Sequence, residues 1–189
     1  GTEAICNQPV KFKGIVFDIP GGQPTNVFTV TGVGPISLYD LGLTVASPAT
    51  EEIYRYVTDV PMQFKKPQVW NLSADEDVTL SIDKPISGND NLTVSGKGAL
   101  ELRAESADYN GVVSLSCAQT HVYAARDAFG KASDAQVELH ASDDGAALFL
   151  HGTTIEKPIL WNQLSTVGIT AVEGVNVLTK KLTINTSSK

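Results

Sequence analysis

Apolar and polar residues alternate along this chain in short runs, and each run ends at a polar turn. Leu92 and Val94 flank Thr93; after Ser95-Gly96-Lys97-Gly98 the alternation resumes at Leu100 and Leu102, so each apolar residue has a counterpart eight positions later. A period of two is the mark of a strand with one buried side. The frame recurs at Phe28 and Val30, which lead through Thr31-Gly32-Val33-Gly34 to Ile36 and Leu38. It recurs again at Trp70 and Leu72, which lead through Ser73-Ala74-Asp75-Glu76 to Val78 and Leu80. Looser copies join Val113 and Leu115 to Val122 and Tyr123, and Val137 and Leu139 to Leu148 and Leu150. A last copy joins Val167 and Ile169, through Gly174, to Val175 and Val177.

From Trp70 onward the copies begin at 70, 92, 113, 137 and 167, in steps of 22, 21, 24 and 30 residues. About 20 to 30 residues is what one coil of a β-solenoid needs. Tight hairpins favour Asn-Gly or Asp-Gly, which occur only at Asn110-Gly111 and Asp144-Gly145. The expected fold is therefore all-β: a right-handed β-helix of the β-solenoid or β-roll kind with an N-terminal capping segment. An antiparallel β-sandwich or jelly roll is the alternative. The one helix candidate, 49–57 after Ser47-Pro48, reads better as a strand from Ile53 to Val60, because Tyr, Val and Thr favour strands. Pro61 and Pro67 bracket a stretch that reads as unfit for a sheet interior. This places a boundary between an N-terminal cap, 1–66, and a repetitive domain, 67–189, packed as one continuous fold.

Composition adds class and compartment. Apolar residues make up 42% of the 189, enough for a sizeable core, and charged residues only 19%. A net charge of −7 with no basic stripe argues against nucleic-acid partners. No run approaches the roughly 18 apolar residues of a membrane-spanning helix. The opening GTEAICNQPV reads as a mature N-terminus left after removal of an export signal or lipoprotein leader. Cys6 and Cys117 either form a disulfide that pins the N-terminal segment or remain as two buried thiols.

The breaks Thr31-Gly32-Val33-Gly34 and Ser95-Gly96-Lys97-Gly98, with weaker matches at Ser87-Gly88 and Ser142-Asp143-Asp144-Gly145, resemble those of the auto-transporter adhesin head GIN domain family of Bacteroidetes surface proteins. The resemblance covers mainly residues 70 to 152. It implies a right-handed β-helical scaffold, usually behind a lipoprotein leader, a cell-surface or periplasmic location and no established enzymatic activity.

Candidate chemistry is sparse. His121, His140 and His151 are the only imidazoles, and His121 and His140 are expected in different coils, close enough to stack. There is no nucleophile elbow, P-loop, H-E-x-x-H or Rossmann fingerprint, and no cofactor is implied. Asp75, Asp77, Asp143 and Asp144 are weak calcium candidates in turns, where Asp is common for backbone reasons alone. Trp70 and Trp161 are the candidate ligand-binding aromatics for stacking on sugars, although Trp70 occupies an apolar frame position and so reads as core. The expected function is a non-enzymatic surface or periplasmic β protein, an adhesin or envelope-associated module, with an unknown surface protein or glycan as partner and self-association left open. The alternatives are a carbohydrate-binding sandwich using exposed aromatics and, behind it, a polysaccharide lyase or glycosidase.

Overall fold

The computed structural model describes residues 3–18, 27–46, 54–73, 76–131, 134–140, 146–163 and 167–186. In chain order the strands are β1 (Glu3–Cys6), β2 (Val10–Phe17), β3 (Val27–Gly32), β4 (Ile36–Val45), β5 (Tyr54–Asp59) and β6 (Met62–Phe64). Next come β7 (Gln68–Leu72), β8 (Val78–Ile82), β9 (Ile86–Ser87), β10 (Leu92–Leu102), β11 (Val113–Val122) and β12 (Val137–His140). The last six are β13 (Ala146–His151), β14 (Thr154–Ile155), β15 (Ile159–Gln163), β16 (Val167–Glu173), β17 (Val177–Leu178) and β18 (Leu182–Thr186).

Every pairing among them is parallel, and each joins segments one coil apart. The fold is thus a β-solenoid, and the antiparallel sandwich is set aside. Three faces recur in fixed order. Face A stacks β1, β3, β5, β8, the second part of β10, the second part of β11, β13 and β16. Face B stacks residues 10–12, 36–38, β6 and β9, and continues through β14 and β17. Face C stacks residues 14–17, 43–45, β7, the first parts of β10 and β11, β12, β15 and β18.

Register explains the core. On face C, Ile15, Leu43, Trp70 and Val94 are successive partners, and the line continues through Leu115, Leu139, Trp161 and Ile184. Alternation sends these side chains inward and their neighbours outward. Leu92, Val94, Leu100, Leu102, Val113, Leu115, Val137 and Leu139, all expected to share one core, are all buried.

The structure also redraws the repeat. Leu92, Val113, Val137, Ile159 and Leu182 are successive partners on face C, at steps of 21, 24, 22 and 23 residues. The copy expected at Val167 lies on face A against Ala146, so the long step to it was a change of face. Leu160, an apolar residue on the outward side of β15, hides the true copy by spoiling the alternation. The looser copy ends on Thr120 and Val122, both buried; Tyr123 points outward because Val122 takes the inward position.

One expectation near the boundary changes as well. Of the strand expected from Ile53 to Val60, β5 is observed over Tyr54–Asp59; Ile53 lies outside the described residues. The stretch between Pro61 and Pro67, however, holds β6, which is paired with β4 on one side and β9 on the other, with Met62 and Phe64 in the core. Both prolines sit at corners, where no ladder N–H is required. β4 pairs with β6 and, across the expected boundary, with β7.

The two thiols are free. Cys6 on β1 and Cys117 on β11 are five strand steps apart along the sheet, roughly 24 Å at about 4.8 Å per step. A disulfide needs Cα atoms within about 7 Å. The bridge once open as an expectation is excluded by the distance along the stack.

Candidate functional site

The outer side of face A carries a cluster of charged and aromatic groups. Its outward positions form lines across the coils: Ser81, Glu101, His121 and Phe149 are successive partners, and Arg103, Tyr123 and His151 stand two residues further along their own strands. Arg55 on β5 reaches past β8 to Glu101, its Nη2 lying 2.5 Å from Oε2 and its Nη1 3.2 Å from Oε1. Arg103 Nε donates to the same carboxylate at 2.9 Å. Ser81 bridges beneath: it accepts from Arg55 at 3.0 Å and lies 2.5 Å from Asp83. Burial would raise the Glu101 carboxyl, but the hydrogen bonds and charges of Arg55 and Arg103 outweigh it and hold it below the usual carboxylate value.

Beside this cluster lies a stack of rings. The Arg103 guanidinium covers the Tyr123 ring at 4.1 Å, Tyr123 stacks on His151 at 4.1 Å, and His121 stacks on Phe149 at 4.6 Å. The planes are within 20° of parallel, because residues in register one coil apart stand face to face at the strand spacing. The ring faces therefore look along the solenoid axis at one another. A pyranose would need an open ring face, and these are occupied; edges, polar tips and guanidinium groups meet solvent.

The sequence candidates fall elsewhere. Trp70 is fully buried, and Trp161 packs half-buried against the core. Both occupy the inward line of face C, Trp161 four strands beyond Trp70, so they form no outer platform. His140 lies on face C with Glu138 and Asn162, and the histidine beside His121 is instead His151. Asp77 is exposed before β8; Asp75, Asp143 and Asp144 lie outside the described residues. Among the described residues no group of three or more His, Cys, Asp or Glu side chains is placed to hold a metal. Arg55, Glu101 and Arg103 were not singled out from sequence; Tyr123 entered only as a position in the repeat and His151 only as one of three imidazoles. Only a register that placed 101, 121 and 149 on one line could have found them.

The chain matches no family model, no curated protein and no solved structure. The face A cluster is accordingly judged on its own chemistry. Its carboxylate is clamped by two guanidinium groups and its imidazoles are bonded to partners, which makes it a rigid patterned surface rather than a set of free acids and bases.

Proposed function

We propose that this chain is a non-enzymatic interaction module of the cell surface or periplasm, adhesin-like or envelope-associated, that uses the outer side of face A as its recognition surface. The observation that carries this reading is the saturation of that face: Glu101, Arg55, Arg103 and Ser81 hold one another, and the neighbouring rings are locked in stacks. Groups held this firmly keep their geometry for a partner at little entropic cost. A solenoid suits the role, because stacked coils present an extended binding surface. The pattern resemblance to surface adhesin head domains points to the same compartment.

The test is a glycan array, run with and without calcium, alongside purified cell-envelope polysaccharide. Wild-type chain is compared with Arg103→Ala/Tyr123→Ala. Retention of the wild type, insensitive to calcium and lost in the double variant, is the expected result. Cleavage of any offered glycan would overturn the non-enzymatic reading, and undiminished binding by the variant would move the surface off face A.

A further inference from the structure

Four side chains at the C-terminal side of the face A cluster form one line of polar groups, joined by two hydrogen bonds and one charge contact. Gln119 Oε1 lies 3.2 Å from His121 Nε2. His121 Nδ1 lies 3.1 Å from His151 Nε2. His151 Nδ1 lies 3.4 Å from Glu173 Oε1. The groups come from three neighbouring strands, β11, β13 and β16, and register holds the two rings together (His121 is the partner of Phe149, two residues before His151).

Donors and acceptors along this line can be counted. Gln119 Oε1 only accepts, so His121 Nε2 carries hydrogen and a neutral His121 accepts at Nδ1. His151 Nε2 must then donate. A proton added at His151 Nδ1 faces the Glu173 carboxylate 3.4 Å away, so the line can take one proton on that side. With one proton fewer, the line is satisfied again if the Gln119 amide turns over and donates to His121 Nε2. His121 Nδ1–H then donates to His151 Nε2, and His151 Nδ1–H faces Glu173. With one proton more, both nitrogens at the 3.1 Å contact carry hydrogen, and no arrangement satisfies them.

We propose that His121 and His151 form a proton-sharing pair that accommodates one proton, and that a second, entering in acid, parts the two rings and loosens the outer ladder between β11 and β13.

Every charged or titratable group facing the pair fits this account. On β11, Gln119 and Tyr123 flank His121. From β10, Glu101 favours the extra proton on His121 and Arg103 disfavours it, but the Glu101 charge is already neutralised by two guanidinium groups. From β13 come the apolar face of Phe149 and the second imidazole. Glu173 is 69% exposed and lies on the far side of His151, so it stabilises the first proton rather than the second. Burial, then the His151 charge, pushes His121 below the ordinary histidine value. A base lowered in the folded state binds fewer protons there than when unfolded. Its contribution to stability is complete above about pH 6.5 and is lost as pH falls through the folded value. This switch stands independently of any function assigned to face A, although it would make recognition there sensitive to acid.

The experiment is NMR titration of the whole chain, following the imidazole nitrogens of His121 and His151 and the ring protons of Tyr123 and Phe149. Two coupled steps more than about one pH unit apart are expected, with the Tyr123 and Phe149 ring signals moving on the lower step. His151→Gln should collapse the titration to one step and raise the His121 midpoint. Glu173→Gln, at an exposed position, should weaken only the upper step and keeps the test alive if the first variant does not fold. Two independent titrations near the ordinary histidine value, or ring signals that ignore the lower step, would overturn the proposal.

Discussion

Lys157 is the residue whose environment departs furthest from its chemistry. It is 1% exposed, its Nζ donates to the Gly111 carbonyl and lies 4.6 Å over the Tyr109 ring. Burial lowers its pKa to about 8, so at neutral pH the fold holds a costly charge. Between that value and the unfolded one the unfolded chain binds more protons, and stability therefore rises with pH. Cys117 acts in the opposite sense: burial raises its thiol to about 11, so above about pH 9 the folded chain binds the extra proton and stability falls. Burial also raises the Tyr109 hydroxyl, which adds to that fall above about pH 10. The clear window is pH 8 to 9, where Lys157 should raise stability by about 1 kcal/mol per pH unit. Urea unfolding of the wild type should show this rise, while Lys157→Met loses it. Equal slopes in the two proteins would show that Lys157 keeps its charge in the fold as it does in the unfolded chain.

At the scale of the element, the glycine-containing corners were read correctly as corners but incompletely as geometry. Thr31–Gly34 turns the chain from face A to face B, and Ser95–Gly98 turns it from face C to face A, so one sequence motif serves two corners. Within the second, Gly96 has a φ of 111°, and a Cβ there would lie 2.6 Å from the Leu72 carbonyl oxygen. Gly98 needs no special φ; its Cβ would lie 2.7 Å from the same oxygen. Gly96→Ala combines backbone strain with a clash against immovable backbone, and should cost more than about 2 kcal/mol in urea unfolding. A loss below about half that would mean the corner relaxes. Strand existence and the inward set were legible, because alternation reports burial directly. Face identity was not, because an eight-residue offset looks the same at either corner. The outer cluster was hidden for a related reason: Arg55 and Glu101 are 46 residues apart, and only coil register makes them neighbours.

For the whole molecule, stability is a sum over neighbouring coils, and its ends differ from its middle. Leu100, covered by coils on both sides, is fully buried, whereas Ile184, on an equally inward line in β18, is 48% exposed. Among the described residues β1 and β2 at one end, and β16, β17 and β18 at the other, pair on one side only. Open parallel edges whose faces recur in the same order invite head-to-tail stacking of copies. Lysines oppose it. Lys11 and Lys13 of β2 and Lys180 and Lys181 before β18 are all exposed, and all sit around the corner between faces B and C. A stack continuing the register would bring both pairs together, superposing four like charges with no acid interposed at that corner. Lys180→Ser/Lys181→Ser removes half of the repulsion and leaves the Lys181 carbonyl, which accepts from Ile159 N–H at 3.0 Å, in place. In low salt the double variant should sediment with a mass that climbs with concentration, while the wild type stays at single-chain mass. Added salt should move the wild type towards the variant by screening the same charges. A variant that sediments like the wild type at every concentration would mean that the edges are kept apart by shape rather than by charge.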